Sequence, residues 1–473
     1  MLRPTYVHPL TEQWLGPGGP WDGPDLDTAL AGTSPVEDDV ASIAGGLQAI
    51  GVAPGEAVSW QLANGWPAVA LFRACWRVGA VAAPIHHLAG PADVEAMLDR
   101  LRPKVFVAST DELPHATPLL APLTAIDPAV VAVALGTSGS TGTPKVALHT
   151  HRSLVHKART MAVIHDLGPD DAILIPAPMA HISGLLNGVL LAASGMRIVP
   201  MARWDPATAL ELIERERITF MIGPPAFFVS LVNTPTFDPA AVQSLRQISC
   251  GGAGVTPSFI RSMSATLGCR LKRTYGSTEA PTVSTSTLDD PAERAATTDG
   301  RAVGRVELRT VDPDTGLDVG HDATGELWVR GPELFVGYDD RAATAAAFAD
   351  GGWFRTGDLA TIDAEGWLTV VGRIKDVIIR GGENIATIEI ENVLEAHPSV
   401  RQAVVVGEPD ERLGERVCAF VVADQPFTLS ECRAWFADQG VTRFKWPERV
   451  ETVAELPLLG TAKPDRAALR ALL

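Results

Sequence analysis

A chain of 473 residues, 46% apolar and 20% charged, can bury the cores of roughly two to four domains and is not a disordered polymer. Its formal net charge of −17 surrounds it with a negative field, which argues against nucleic acid and anionic membrane surfaces as partners. The five cysteines (Cys75, Cys250, Cys269, Cys418, Cys432) are scattered, with no Cys-x-x-Cys pair, so neither a disulfide frame nor a zinc site is expected and a reducing cytoplasm fits.

The N-terminus, MLRPTYVHPLTEQWLG, has no basic stretch leading into an apolar one, so no signal peptide is expected. No apolar run reaches the ~18 residues that a membrane-spanning helix needs. Residues 1–33, rich in Gly, Pro and Asp, are expected to wrap the surface. Ser34-Pro35 has the form of an N-cap followed by proline at the first helical position. Val36, Val40, Ile43, Leu47 and Ile50 then make the stripe of an amphipathic helix, ended by Gly51. Segments 57–62, 80–83 and 104–108 read as strands, and 67–78 and 91–101 as helices. This alternation predicts a mostly parallel sheet covered on both faces.

The apolar run 129–135 reads as a buried strand and leads into GTSGSTGTPK, from Gly136 to Lys145. Such a segment has no helical or strand period and cannot pack a core. It can present backbone N–H groups, small hydroxyls and one ammonium to an anion. A flexible linker is the other reading of the same composition. It is not a Walker loop, because Lys145 follows Pro144 and no Ser or Thr comes next.

Beyond it, 154–164, 183–193 and 206–216 read as helices, and 172–176, 196–201 and 219–223 as strands. Strand 245–250 ends in Gly251-Gly252-Ala253-Gly254, and 271–274 ends in Tyr275-Gly276-Ser277-Thr278-Glu279. Loops at the carboxyl ends of strands are where open α/β sheets hold ligands. From about residue 303 the texture becomes β-rich, with 307–311, 325–330 and 368–371 separated by turn residues. Gly372-Arg373-Ile374-Lys375-Asp376 then bridges to a compact α+β segment. There Thr387 is expected to cap a helix, 400–406 and 417–422 to pair as strands, and 429–437 and the tail from Pro464 to be helical. The fold expectation is thus an α/β N-terminal domain, 1–374, of doubly wound, mostly parallel sheets plus a β subdomain. A small α+β domain, 375–473, follows.

Read together, GTSGSTGTPK, Tyr275–Glu279 (YGSTE), 324–326 (TGE), 356–358 (TGD), 372–376 (GRIKD) and Lys463 near the end resemble the adenylate-forming superfamily of acyl-CoA synthetases, adenylation domains and luciferases. The order and the near-complete coverage make a chance match improbable. The resemblance implies attack of a carboxylate on the α-phosphate of ATP, then transfer of the acyl group to a thiol. Both reactants of the first step are anions, so positioned cations and N–H donors should supply most of the catalysis.

By the same resemblance, Thr137, Ser138, Gly139, Ser140, Thr141, Gly142 and Lys145 hold the β- and γ-phosphates. Glu279 is the Mg²⁺ ligand, and Thr278 bonds the α-phosphate; by itself the Thr-Glu pair could equally open a helix. Asp358 accepts the ribose hydroxyls, with Arg373 beside it. Adenine stacks between Gly252-Ala253-Gly254 and Tyr275-Gly276. His181 contacts the acid or gates its pocket, and Lys463 bridges the carboxylate and the α-phosphate. The C-terminal domain is implied to be a mobile lid pivoting at Lys375. Its loop Arg380-Gly381-Gly382-Glu383-Asn384 would line a tunnel for the pantetheine thiol, a plain hairpin being the other reading. Val146, Ala462 and Pro464 depart from the family pattern. His86-His87 and His149/His151 lack acidic or cysteine partners at ligand spacing and read as structural.

The expected activity is an ATP-, Mg²⁺- and coenzyme A-dependent carboxylic acid–CoA ligase in the cytoplasm, with a second copy of the chain as a candidate partner. An acyl-AMP ligase loading a carrier protein, and a nucleotide-binding protein without turnover, are the alternatives. The acid pocket is expected between 181–186, Phe227 and 252–275. Its apolar character, with no Asp in 172–183, points to an aliphatic, alicyclic or aromatic acid; Asp171 lies just before that stretch.

Overall fold

Among the described residues four sheets carry the fold, each formed where apolar residues alternate or cluster at strand length. The computed structural model describes residues 2, 6–33, 35–137, 145–252, 254–381, 383–459 and 463–473. In the first sheet, Val105–Val107, Ala57–Trp60, Val81–Pro84 and Val131–Thr137 lie parallel in that order, and Lys145–Thr150 closes the edge antiparallel to Val131–Thr137. In the second, Arg270–Tyr275, Gln247–Gly251, Phe220–Gly223, Ala172–Ile175 and Arg197–Pro200 are parallel. Two short antiparallel strands, Ser284–Thr285 and Arg301–Ala302, extend it.

Helices Glu37–Ala49, Trp66–Arg77, His151–Ile164 and Ile182–Gly188 join these sheets. One apolar cluster runs from Val58 and Val133 of the first sheet through Ile43, Phe72, Leu154 and Leu185 of the helices to Ile173 and Phe220 of the second. Two of the polar side chains among these helices find partners, as burial favours: Trp76 Nε1 donates to the Ala132 carbonyl at 3.1 Å, and Arg77 is bridged to Asp27. The third sheet is antiparallel and holds Glu307–Val311, Gly325–Arg330, Trp353–Ile362, Phe348–Ala349 and Leu368–Arg373. The fourth builds the C-terminal domain from Ile378–Arg380, Glu383–Ile385, Val400–Asp410, Gly414–Ala423 and Arg449–Thr452, with its own core around Ile390, Leu394, Val405, Val421 and Phe436.

Several elements differ from the sequence reading. Lys145–Thr150 is a strand where none was expected: Val146 and Leu148 pack into the first sheet's outer cluster while Ala147 faces the third sheet's core, a period of two hidden in six residues. The absorbed Val146 side chain explains how this departure from the family glycine is tolerated. The segment 183–193 is not one helix. It breaks at Val189 (φ −127°, ψ −52°) between Ile182–Gly188 and a 3₁₀ turn, Leu190–Ser194. Thr387 is the first residue of its helix rather than its cap, since Ala386 takes the N-cap position. Ser34 lies outside the described residues, and that helix starts at Glu37. The tail is helical only over Arg466–Arg470, capped by Asp465. The N-terminal wrap is anchored by two buried tryptophans: Trp14 stacks on His8 at 4.3 Å, and Trp21 Nε1 donates to the Pro332 carbonyl at 2.9 Å.

Candidate active site

The carboxyl ends of strands in the second sheet, at Tyr275 and Gly252, meet Asp358 of the third sheet and Lys463 of the C-terminal tail. Thr137 and Lys145 pair across the first sheet's edge, and Thr137 Oγ1 donates to the Lys145 carbonyl at 3.3 Å. The two ends of the glycine-rich segment are therefore held together. Ser138, Gly139, Ser140, Thr141 and Gly142 lie outside the described residues, as do Ala253 and Gly382.

Segment 276–280 is an irregular turn, which removes the helix-start reading of Thr278-Glu279. A Cβ at Gly276 would lie 2.2 Å from the Thr282 amide nitrogen, so this turn closes only on glycine. Three contacts from elsewhere in the chain hold it. His149 Nε2 lies 2.8 Å from the Thr278 carbonyl, the Phe335 amide donates to the Glu279 carbonyl at 2.8 Å, and the Tyr338 hydroxyl donates to Glu279 Oε1 at 2.7 Å.

Asp358, 3% exposed, takes Arg373 Nε on one oxygen at 2.7 Å and the Tyr275 hydroxyl on the other at 2.6 Å. Each carboxylate oxygen keeps a free lone-pair direction, so two further O–H donors can be accepted. The Tyr275 phenol is held far above its ordinary range by burial and by the Asp358 charge, so it stays a donor.

Lys463 joins these groups. The Cβ position of Gly252, whose φ of +80° requires glycine, lies 3.7 Å from Lys463 Cε. Desolvation and Arg373 lower the ammonium's pKa, while Asp358 and Glu279 pull it back up. Although the residue as a whole is exposed, its charged end thus lies within the field of Arg373, Asp358 and Glu279. The C-terminal domain also touches this face through Ile388 against Gly254 and Ala386 against Gly372. Gly381 is not brought to these residues. It turns the hairpin between Ile378–Arg380 and Glu383–Ile385, and its amide donates to the Leu413 carbonyl at 2.7 Å.

His181 caps the helix Ile182–Gly188 at the carboxyl end of Ala172–Ile175. Burial, with His86, Lys463 and His87 adding to it, pushes its imidazole down to about 4, so the ring is neutral near neutral pH. The His86 ring stands 5.1 Å from that of His181 and the His87 ring 4.8 Å from that of His86. The structure thus brings His86-His87 beside His181, and no acidic or cysteine partner gathers with them into a metal cage among the described residues. The pair leaves the carboxyl end of Val81–Pro84 as His181 leaves that of Ala172–Ile175. Tyr338 was missed; nothing local marks it. Asp171, by contrast, is committed to Arg246 and Thr219 and leaves no free carboxylate for an amino group. Phe227, expected at the acid pocket, stacks on Trp204 at 4.5 Å beyond strand Phe220–Gly223.

The buried histidines also set an acid limit. Burial pushes His149 and His151 down to about 4 and His165 well below the ordinary value. The unfolded chain, with ordinary values of about 6.5, binds protons that the folded chain refuses. Stability is therefore present above about pH 6.5 and lost as pH falls towards about 4. Denaturant midpoints should drop steadily from about pH 7 to about pH 5, and a flat profile there would contradict the assignment.

The family model for AMP-binding enzymes matches residues 34–339, and that for the AMP-binding enzyme C-terminal domain matches 389–463. The chain is 32% identical over 481 residues to a medium-chain fatty-acid–CoA ligase of Escherichia coli strain K12, covering 92% of this chain and 85% of that one. It is 35% identical over 470 residues to an indoleacetate–CoA ligase of Aromatoleum aromaticum, covering 90% of each. The crystal structure of ATP-bound MatB from Rhodopseudomonas palustris superposes with a TM-score of 0.84 at 26% identity, over 92% of both chains.

Proposed function

The chain belongs to the AMP-binding enzyme family, and from that premise we propose that it is an ATP-dependent carboxylic acid–CoA ligase. It forms an acyl-adenylate with release of pyrophosphate, then a thioester with coenzyme A. One observation carries the reading: Lys463 Cε lies 3.7 Å from the Cβ position of Gly252, with the charges of Glu279, Asp358 and Arg373 acting on its ammonium. This supports a role for the Lys463 ammonium between a carboxylate and a phosphate.

The residues divide the task by their chemistry. Asp358 and Arg373 hold the ribose, Gly252, Gly254 and Tyr275 the adenine, and Lys145 and Thr137 the outer phosphates. Thr278 donates to the α-phosphate. Lys463 screens the repulsion between the attacking carboxylate and that phosphate, and a lone ammonium can bond both at once. His181, kept neutral, borders the acid without adding a competing charge. Among the described residues no three His, Cys, Asp or Glu side chains gather into a metal cage. A cation here would take the one carboxylate of Glu279, with phosphate oxygens and water completing its shell, which suits Mg²⁺. Bound so, it would neutralise phosphate charge. Residues 375–473 form the lid, which turns at Lys375 to offer Gly381 and Gly382 to the pantetheine thiol in the second step.

The acid is aliphatic, alicyclic or aromatic and carries no amino group. The stacked Trp204–Phe227 pair and the engagement of Asp171 by Arg246 support this. A cytoplasmic setting belongs to the same proposal; no helix among the described residues is long and apolar enough to cross a membrane. Pyrophosphate release across a panel of acids, with coenzyme A or a phosphopantetheinyl carrier protein as acceptor, tests the reading. AMP formation only with the carrier would replace the CoA assignment, and nucleotide binding without AMP would end the enzymatic one.

A further inference from the structure

Lys145 and Glu279 carry the opposite charges that the phosphates and their cation need, and both contact a third residue. Tyr338, 6% exposed, lies in segment 335–339, which is stitched to the strand leaving the phosphate loop. Its backbone bridges to Ala147, Asp339 N donates to the Val146 carbonyl at 3.0 Å, and Val146 N donates to Asp339 Oδ1 at 3.1 Å. Arg100 secures Asp339 in turn. Phe335 packs edge-on to the Tyr338 ring at 4.9 Å. On this rigid mount the Lys145 ammonium lies 4.9 Å from the centroid of the ring, and the hydroxyl donates to Glu279 Oε1.

We propose that Tyr338 is a positioning residue that keeps the phosphate lysine and the cation-binding carboxylate apart and aimed. An ammonium and a carboxylate left close together in a partly buried cleft would pair directly, and neither would then be free for Mg·ATP. Tyr338 occupies both with weaker contacts that a ligand can supplement. The ring face attracts the cation without neutralising it. The hydroxyl takes one lone pair of Oε1 and leaves Oε2 open. Among the described residues no ion pair joins Lys145 to Glu279.

The inference rests on the nucleotide reading of this site, and its test separates the two. The probe is the magnesium complex of β,γ-methylene-ATP, which binds without reacting, measured by calorimetry on the full chain, with Mn²⁺ titrated by electron spin resonance as the cation readout. Tyr338→Phe removes the O–H and keeps the ring, so affinity for both probes should fall roughly tenfold at unchanged melting temperature. Tyr338→Leu removes the ring too, lets the ions collapse together, and should weaken binding further. In a Glu279→Gln background, Tyr338→Phe should have little additional effect, which a merely structural role would not produce. Full affinity in Tyr338→Phe, or an equal loss with and without Glu279, overturns the inference. A wild-type chain that does not bind the probe overturns the nucleotide reading itself.

Discussion

Lys463→Ala should lower the rate of acyl-adenylate formation by about 10²–10³-fold or more, while thioester formation from a supplied acyl-adenylate persists. The reason is electrostatic. The carboxylate and the α-phosphate repel, and an ammonium between them stabilises the developing charge more than it stabilises either reactant. Its surroundings balance desolvation and Arg373, which oppose the charge, against Asp358 and Glu279, which favour it. Alanine removes the charge while the backbone bridge between Leu458 and Pro464 stays, so the fold should not change. The proline that departs from the family pattern thus helps to seat the lysine. Pyrophosphate release measures the first step, and chemically synthesised acyl-adenylate with coenzyme A measures the second. Equal loss of both would remove Lys463 from its assigned role.

Asp358→Asn should damage both steps together, because the adenosine moiety is present in ATP and in the acyl-adenylate alike. Asparagine has nearly the shape of aspartate but offers one accepting oxygen instead of two. Arg373, the Tyr275 hydroxyl and two ribose hydroxyls then compete for it. Each hydrogen bond to a charged acceptor is worth about 1.5–3 kcal/mol, so KM for ATP and for the acyl-adenylate should each rise by about 10–100-fold. Asp358→Ala should add instability, since it strands a half-buried guanidinium whose partner was 3% exposed. Comparing the denaturation midpoints of the two variants separates lost binding from lost folding. A KM change in one step only would contradict the shared-nucleotide assignment.

The strands of both large sheets were readable because they are short apolar runs closed by Gly or Pro, and the helices because their apolar residues recur at three and four. Lys145–Thr150 was not readable, because a charged residue, a histidine and a threonine dilute its alternation. What makes it a strand is the Val131–Thr137 edge and the contacts with segment 336–339. The helix 183–193 was over-read for the converse reason: small apolar residues fit a helix or a 3₁₀ turn equally well, and packing under His181 decided between them. Among the proposed site residues, Lys145, Glu279, Asp358 and Lys463 stood out by type and order. Tyr338 did not, since a tyrosine after Gly337 has many bland uses.

Residue types and their order along the chain determined the family and the inventory of charged groups. Only the tertiary structure decided which of them meet. Tyr275 and Asp358 are 83 residues apart yet share a hydrogen bond, and Tyr338 reaches Glu279 across 59. Such meetings depend on strand register and on how sheets stack, where a slip of one residue turns every side chain to the opposite face. Register is settled by the sum of many weak contacts over the whole core, which no short stretch of sequence contains.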